Sequence, residues 1–146
     1  MTAIAGGPDT GGTDGRHAHR SRTVLGWLRE LLSEPVKEYT QFAAGLSFLP
    51  ALPPDEAAAL LEERVRLLEE EVGSMRSRLD AVIEQGLPRL FLVETEHELV
   101  LRGAELEWVR GLVGEIESGV LGGMSEWEAF HPSAHAAGDE DGTVKK

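Results

Sequence analysis

The stretch LEERVRLLEEEVGSMRSRLDAV, residues 61–82, places apolar side chains at Leu61, Val65, Leu68, Val72, Met75, Leu79 and Val82. These positions are separated alternately by four and three residues. Because an α-helix turns once every 3.6 residues, that spacing lines them along one narrow stripe, the a/d seam of a coiled coil. Glu62, Glu63, Arg64, Arg66, Glu69, Glu70, Arg76 and Arg78 fill the flanks. Upstream, Asp55 follows Pro53 and Pro54 and predicts an N-cap, and helix formers continue to Gln85 with Gly73 as the one weak point.

Working outward, Gly86, Leu87 and Pro88 make a short reversal, and a second long helical pattern runs from Leu90 to about Gly119. So short a connection forces antiparallel neighbours. Leu92, Leu99, Leu106, Val109, Val113, Ile116 and Val120 mark one stripe of this helix, and Leu101, Ala104, Trp108 and Leu112 mark a second beside it. An apolar arc that wide predicts contact with two neighbours. Two shorter segments come before the pair. Thr23 to Ser33 carries Val24, Trp27, Leu28, Leu31 and Leu32 on one face and is stopped by Pro35. Phe42 to Leu49 has so little polar content that it should be largely buried.

Strand-like alternation with β-branched enrichment occurs nowhere. The expected fold is all-α: an antiparallel long-helix hairpin with coiled-coil character, plus two short N-terminal helices, flanked by disordered tails. Residues 1–22 are expected to be a disordered N-terminal tail, because glycine, threonine and aspartate there offer no apolar period to bury. Residues 23–122 form the helical domain. Residues 123–146 are expected to be a flexible acidic C-terminal tail.

Composition narrows the function classes. The 146 residues contain no cysteine, which excludes thiol nucleophiles, disulfides and thiolate metal sites. A formal net charge of -12, spread along the chain, repels polyphosphates and makes direct nucleic-acid binding doubtful. No apolar run approaches the roughly 20 residues of a membrane span, and the start lacks the pattern of a secretory signal. The expectation is a cytoplasmic protein that does not enter a membrane.

A helix of about 31 residues is roughly 46 Å long, whereas a compact chain of this size has a radius of gyration near ~15 Å. The pair must therefore protrude, and its own apolar side chains are few for the number of residues ordered. A second copy would supply the missing surface, so the expected state is an obligate homodimer. The seam that would carry the hairpin and the dimer is Leu61, Val65, Leu68, Val72, Met75, Leu79 and Val82 with Leu99, Leu106, Val109, Val113 and Ile116.

The segments WLRELLSEP at Trp27 to Pro35 and FAAGLSFLPALPP at Phe42 to Pro54 resemble PadR-type regulators. The run LVLRGAELEWVRGLVGEIESG, Leu99 to Gly119, is similar to the closing helix of that family, where an A-E-L-x-W core is frequent. The likeness covers Thr23 to about Gly122. It implies a transcriptional regulator in which a winged helix-turn-helix reads operator DNA and a C-terminal helical domain dimerises and, in some members, answers a small ligand. The twenty-two residues before Thr23 are fewer than the roughly 50 of a minimal reader domain. The expectation is therefore indirect control: pairing with itself, or forming a heterodimer with a full-length PadR-type regulator and weakening its two-site grip on a palindromic operator. The alternatives are a small-molecule-binding helical dimer that senses or sequesters its ligand, and a truncated non-functional regulator.

Other motifs have bland readings. Glu94 and His97 form one E-x-x-H pair, but di-iron bundles need two, and Leu101 stands where a zinc-protease motif would need histidine. No metal site or cofactor is expected. Arg16, His17, His19, Arg20 and Arg22 form a short basic patch without interleaved aromatics, which suits a charged tail better than a nucleic-acid contact. No serine has a recognisable base, so the chain is expected not to be an enzyme. Trp27, Phe48, Phe91 and Trp108 are candidate aromatics for an apolar ligand cleft, with core packing the plainer role.

Overall fold

Pro54 opens a 31-residue helix because it has no N–H to lose in the first turn and its φ is already helical. The computed structural model that contains this helix describes residues 23–132. Those residues form α1 (Val24–Ser33), α2 (Gln41–Ser47), α3 (Pro54–Glu84), α4 (Val93–Ser118) and α5 (Met124–Phe130), with single 3-10 turns at Leu49–Ala51 and Arg89–Phe91. No strand occurs among the described residues, so this part of the chain is all-helical. Residues 1–22, expected to be a tail and including the basic patch from Arg16 to Arg22, lie outside the described residues, as do residues 133–146. The chain divides into two units between Thr40 and Gln41, inside the stretch expected to be one domain.

In the first unit, Thr23 caps α1: its Oγ1 accepts the Gly26 N–H at 3.1 Å, replacing an intrahelical bond that the first turn cannot make. Pro35 excludes α geometry at Glu34, which turns extended at φ -102 and ψ 113. The apolar face of Val24, Trp27, Leu28, Leu31 and Leu32 is exposed throughout.

In the second unit α3 packs against α4. Ala57, Ala58 and Leu61 share a core with Val109, Val113 and Ile116, and Leu68 and Val72 share the next with Leu106. Residue numbers fall along α4 as they rise along α3, so the two helices run in opposite directions. Gly86 closes α3 at φ 85, its N–H donating to the Ile83 carbonyl and that of Leu87 to Val82. Gly119 closes α4 at φ 74, with the same pair of bonds to Ile116 and Glu115. A left-handed residue is needed at both points, and glycine adopts that conformation without a Cβ clash.

Several expectations are corrected. Asp55 is not the cap of α3: Pro53 holds that position without a side-chain bond, and Asp55 and Glu56 sit in the first turn, facing the positive end of the helix dipole. Leu90 belongs to the 3-10 turn, and α4 begins at Val93, because Pro88 is extended and the backbone needs one tight turn before α geometry resumes. The Phe42–Leu49 segment is not largely buried. Phe42 and Leu46 are half-buried because a seven-residue helix can turn only one side inward, and past its end Leu49 is half-buried while Phe48 is 74% exposed. Val120 lies past the end of α4 and is exposed.

Residues 123–132, the described part of the expected C-terminal tail, depart from a flexible tail. Met124–Phe130 is helical, and Trp127 is buried in the core with Ala57, Leu61 and Val109. One bulky aromatic with Met124 three residues before it is enough to hold a two-turn helix once a hydrophobic end is available to cover.

Candidate functional site

All seven apolar positions of the α3 stripe point inward: Leu61, Leu68, Val72 and Met75 are buried, and Val65, Leu79 and Val82 are half-buried. On α4, Leu106, Val109, Val113 and Ile116 are buried and Leu99 is half-buried. These twelve side chains fill the space between two helices of one copy. A surface offered to a second protein must lie elsewhere.

It lies on one flank. Leu60 and Leu67 on α3 are 55% and 50% exposed, and Leu101 and Trp108 on α4 are 56% and 53% exposed. They bracket two charged residues in the same pattern: Leu60 is four before and Leu67 three after Arg64, while Leu101 is four before and Trp108 three after Glu105. Residues three and four apart share a helix face. Arg64 Nη2 donates to Glu105 Oε1 at 2.9 Å, which fixes the register and brings Leu60 opposite Trp108 and Leu67 opposite Leu101. The guanidinium of Arg64 lies 3.6 Å from the ring centre of Phe42, a cation–π contact that seats α2 at the edge of the same flank. The result is an apolar frame around one ion pair.

The remaining charges sit around this frame. Arg102 pairs with Glu71 at 3.4 Å and Arg110 with Glu69, both across the two helices. Arg66 holds Glu63 and Glu70 along the outside of α3, and Arg89 holds Glu96. Hydrogen bonds from these arginines keep Glu63 and Glu96 below the usual carboxylate range and raise both guanidinium values. Such exposed pairs add little to stability. Glu117 is shifted the other way: its hydrogen bond to Glu62, and then the like charge there, raise its pKa.

Two shallow grooves flank the helix pair. One, of about 320 Å³, opens where α3 ends and α4 begins, over Met75, Leu79, Val82 and Leu92, with Thr95 among its lining. The other, of about 390 Å³, lies between the start of α3 and the end of α4 beside α5 and is edged by Asp55, Glu62, Glu117 and Glu128.

Of the four candidate cleft aromatics, the three in the second unit are not brought together. Phe48 precedes α3, Phe91 lies in the turn at its far end, Trp108 stands in the flank just described, and Trp27 belongs to the first unit; all are exposed, and none lines either groove. Glu94 and His97 are exposed on the first turns of α4. Among the described residues no three His, Asp or Glu side chains gather as a metal site. No described helix is long and apolar enough to cross a membrane.

The ion pair at the centre of the flank was not singled out in the sequence. Its signal was the repeated spacing of an apolar residue four before and three after a charge, on two helices, with opposite signs. No family model matches the chain, and neither a curated protein nor a solved structure does.

Proposed function

We propose that this chain is a dimerising module of a PadR-like transcriptional regulator, acting on transcription through protein pairing rather than through DNA reading or catalysis. In this reading α3 and α4 form a hairpin with coiled-coil character whose seam is closed internally. The flank of Leu60, Leu67, Leu101 and Trp108 is the pairing surface. That flank is the observation that carries the proposal. Four large apolar side chains, each at least half exposed, frame one ion pair on the same flank of two packed helices, and exposed apolar clusters of this kind mark interaction surfaces. The net charge of -12 speaks against a polyphosphate as the partner.

Pairing with a full-length regulator would compete with that regulator's own two-fold pairing, and a regulator held at only one half-site loses most of the avidity of a palindromic contact. The test mixes the purified chain with a full-length PadR-type regulator and measures mixed dimers by native mass spectrometry and operator affinity by gel shift. Mixed dimers with weakened operator binding are expected. Homodimers that never exchange and an unchanged operator affinity would remove the indirect mechanism.

A second reading, a small-molecule-binding dimer, rests on the groove over Met75, Leu79, Val82 and Leu92. Its volume falls within the range of ligand pockets, and it sets four apolar side chains beside Glu71, Arg78, Thr95 and Glu98. Titration with planar hydrophobic compounds, followed by the amide NMR shifts of Met75 and Leu92, would show saturable movement at those residues if the groove is a site.

A further inference from the structure

We propose that the occupant of the Leu60–Leu67–Leu101–Trp108 flank is a second copy of this chain, docked about a two-fold axis so that Arg64 of each copy meets Glu105 of the other. The proposal rests on the dimer reading and specifies its face, its symmetry and the pair that sets its register.

The first argument is charge. Two copies that each carry a net charge of -12 repel over most of their surface. At the centre of this flank one cation stands beside one carboxylate, so two such faces meet without a net charge on either. The second argument is symmetry. In a two-fold interface residue i touches j and j touches i, so a patch pairs with itself only when it holds both halves of each polar contact. Arg64 and Glu105 are such a set, already framed by matching apolar residues on the two helices.

The third argument is access to the pair. Within one copy it is joined by a single bond, from Nη2 to Oε1. Arg64 Nε and Glu105 Oε2 are unpartnered but themselves closed off from the surface, so a neighbour meets the exposed remainder of the two side chains and not these atoms. The side chains keep 33% and 24% of their surface open, enough for a neighbour to reach them at the middle of an apolar ring that excludes water. A charged pair enclosed in that way fixes register and rejects wrong partners.

The test exchanges the two charges. In Arg64→Glu/Glu105→Arg each chain keeps its internal ion pair with reversed polarity, and two variant chains present each other with the same attractive contacts as two wild-type chains. A variant chain facing a wild-type chain instead sets Arg against Arg and Glu against Glu. Mixed in equal amounts and read by native mass spectrometry, both homodimers are expected. The mixed species should fall at least about tenfold below its statistical share.

The matching exchange on the other flank, Glu69→Arg/Arg110→Glu, should mix freely with wild type. Statistical mixing of the Arg64/Glu105 exchange overturns this inference while leaving the dimer reading intact. Wild-type protein that is monomeric at micromolar concentration overturns both. Should the exchanged chain fail to fold, Glu105→Gln is the second variant: unchanged helicity with self-association weakened about tenfold is expected, and unchanged self-association overturns the inference.

Discussion

Trp127 Nε1 donates to the carbonyl of Leu52 at 2.8 Å, so a residue 75 positions further along the chain ties down the segment that leads into α3. The indole buries its ring among Ala57, Leu61 and Val109 while its one polar atom finds a backbone acceptor that the Pro53–Pro54 turn leaves without a helical partner. His131 repeats the tie, its Nε2 donating to the Pro50 carbonyl at 2.9 Å. The end of the α3–α4 pair is closed by these contacts.

Trp127→Ala is therefore expected to lower the unfolding free energy by about 3–5 kcal/mol, the range for an aromatic removed from a core. Trp127→Phe keeps most of the ring and loses the bond to Leu52, which should cost about 1 kcal/mol plus a smaller packing loss. Urea denaturation followed by circular dichroism separates the two. Equal, small losses would mean that α5 contributes nothing to the fold.

Leu67 and Leu68 are neighbours on α3 with opposite surroundings. Leu68 is 3% exposed against Val72 and Leu106, whereas Leu67 stands half exposed on the flank. Leu68→Ala should cost about 2–5 kcal/mol of fold stability through the cavity it leaves. Leu67→Ala should stay within about 0.5 kcal/mol of wild type in the monomer. Its effect should appear in self-association, read by analytical ultracentrifugation. A dimer insensitive to Leu67→Ala, Trp108→Ala and Leu101→Ala together would move the pairing surface elsewhere.

The α3 helix was legible in the sequence because a four-three repeat over 22 residues leaves no other periodicity to compete with it, and the inward stripe of α4 was nearly as plain. The second stripe of α4 was legible as apolar, but not for what it does. Periodicity reports which residues share a face and is silent on whether the chain itself covers that face, and here Leu101 and Trp108 are left open. Asp55 was misplaced because a capping residue and a first-turn acid sit one or two positions apart and favour the same side chains. The α5 helix has no signal of its own in the sequence because seven residues are too few to establish a period, and its position depends on Trp127 meeting a core built from distant segments. Arg64 and Glu105, 41 residues apart, are joined only by the register of the two helices.

Two glycines should respond with opposite sign. Gly73 lies within α3 with open space where a Cβ would be, so Gly73→Ala removes backbone entropy from the unfolded chain without a clash and should stabilise by about 0.5–1 kcal/mol. Gly119 also has open space, but its φ of 74 disfavours any L side chain, and Gly119→Ala should cost about 1 kcal/mol or more. Thermal unfolding checks both. A stabilising Gly119→Ala would mean that α4 does not need its left-handed close.

The Glu62–Glu117 contact gives the pH prediction. Glu117 titrates above its ordinary value because it shares a hydrogen bond with Glu62 and feels its charge. A carboxyl whose folded-state pKa is raised binds more protons folded than unfolded. Its favourable contribution is therefore complete below the unfolded pKa and is lost as pH rises through the folded one. Glu63 and Glu96, held low by Arg66 and Arg89, act with the opposite sign: their contribution stands above the unfolded pKa and is lost as pH falls through the folded value. Glu62→Gln removes the like charge, so Glu117 should titrate closer to an ordinary glutamate in a carboxyl NMR titration. The variant should also gain stability over wild type as pH rises through the raised Glu117 value, where the wild-type contact becomes one between two charges. Titration of Glu117 unchanged by the substitution would show that the two carboxyls do not interact.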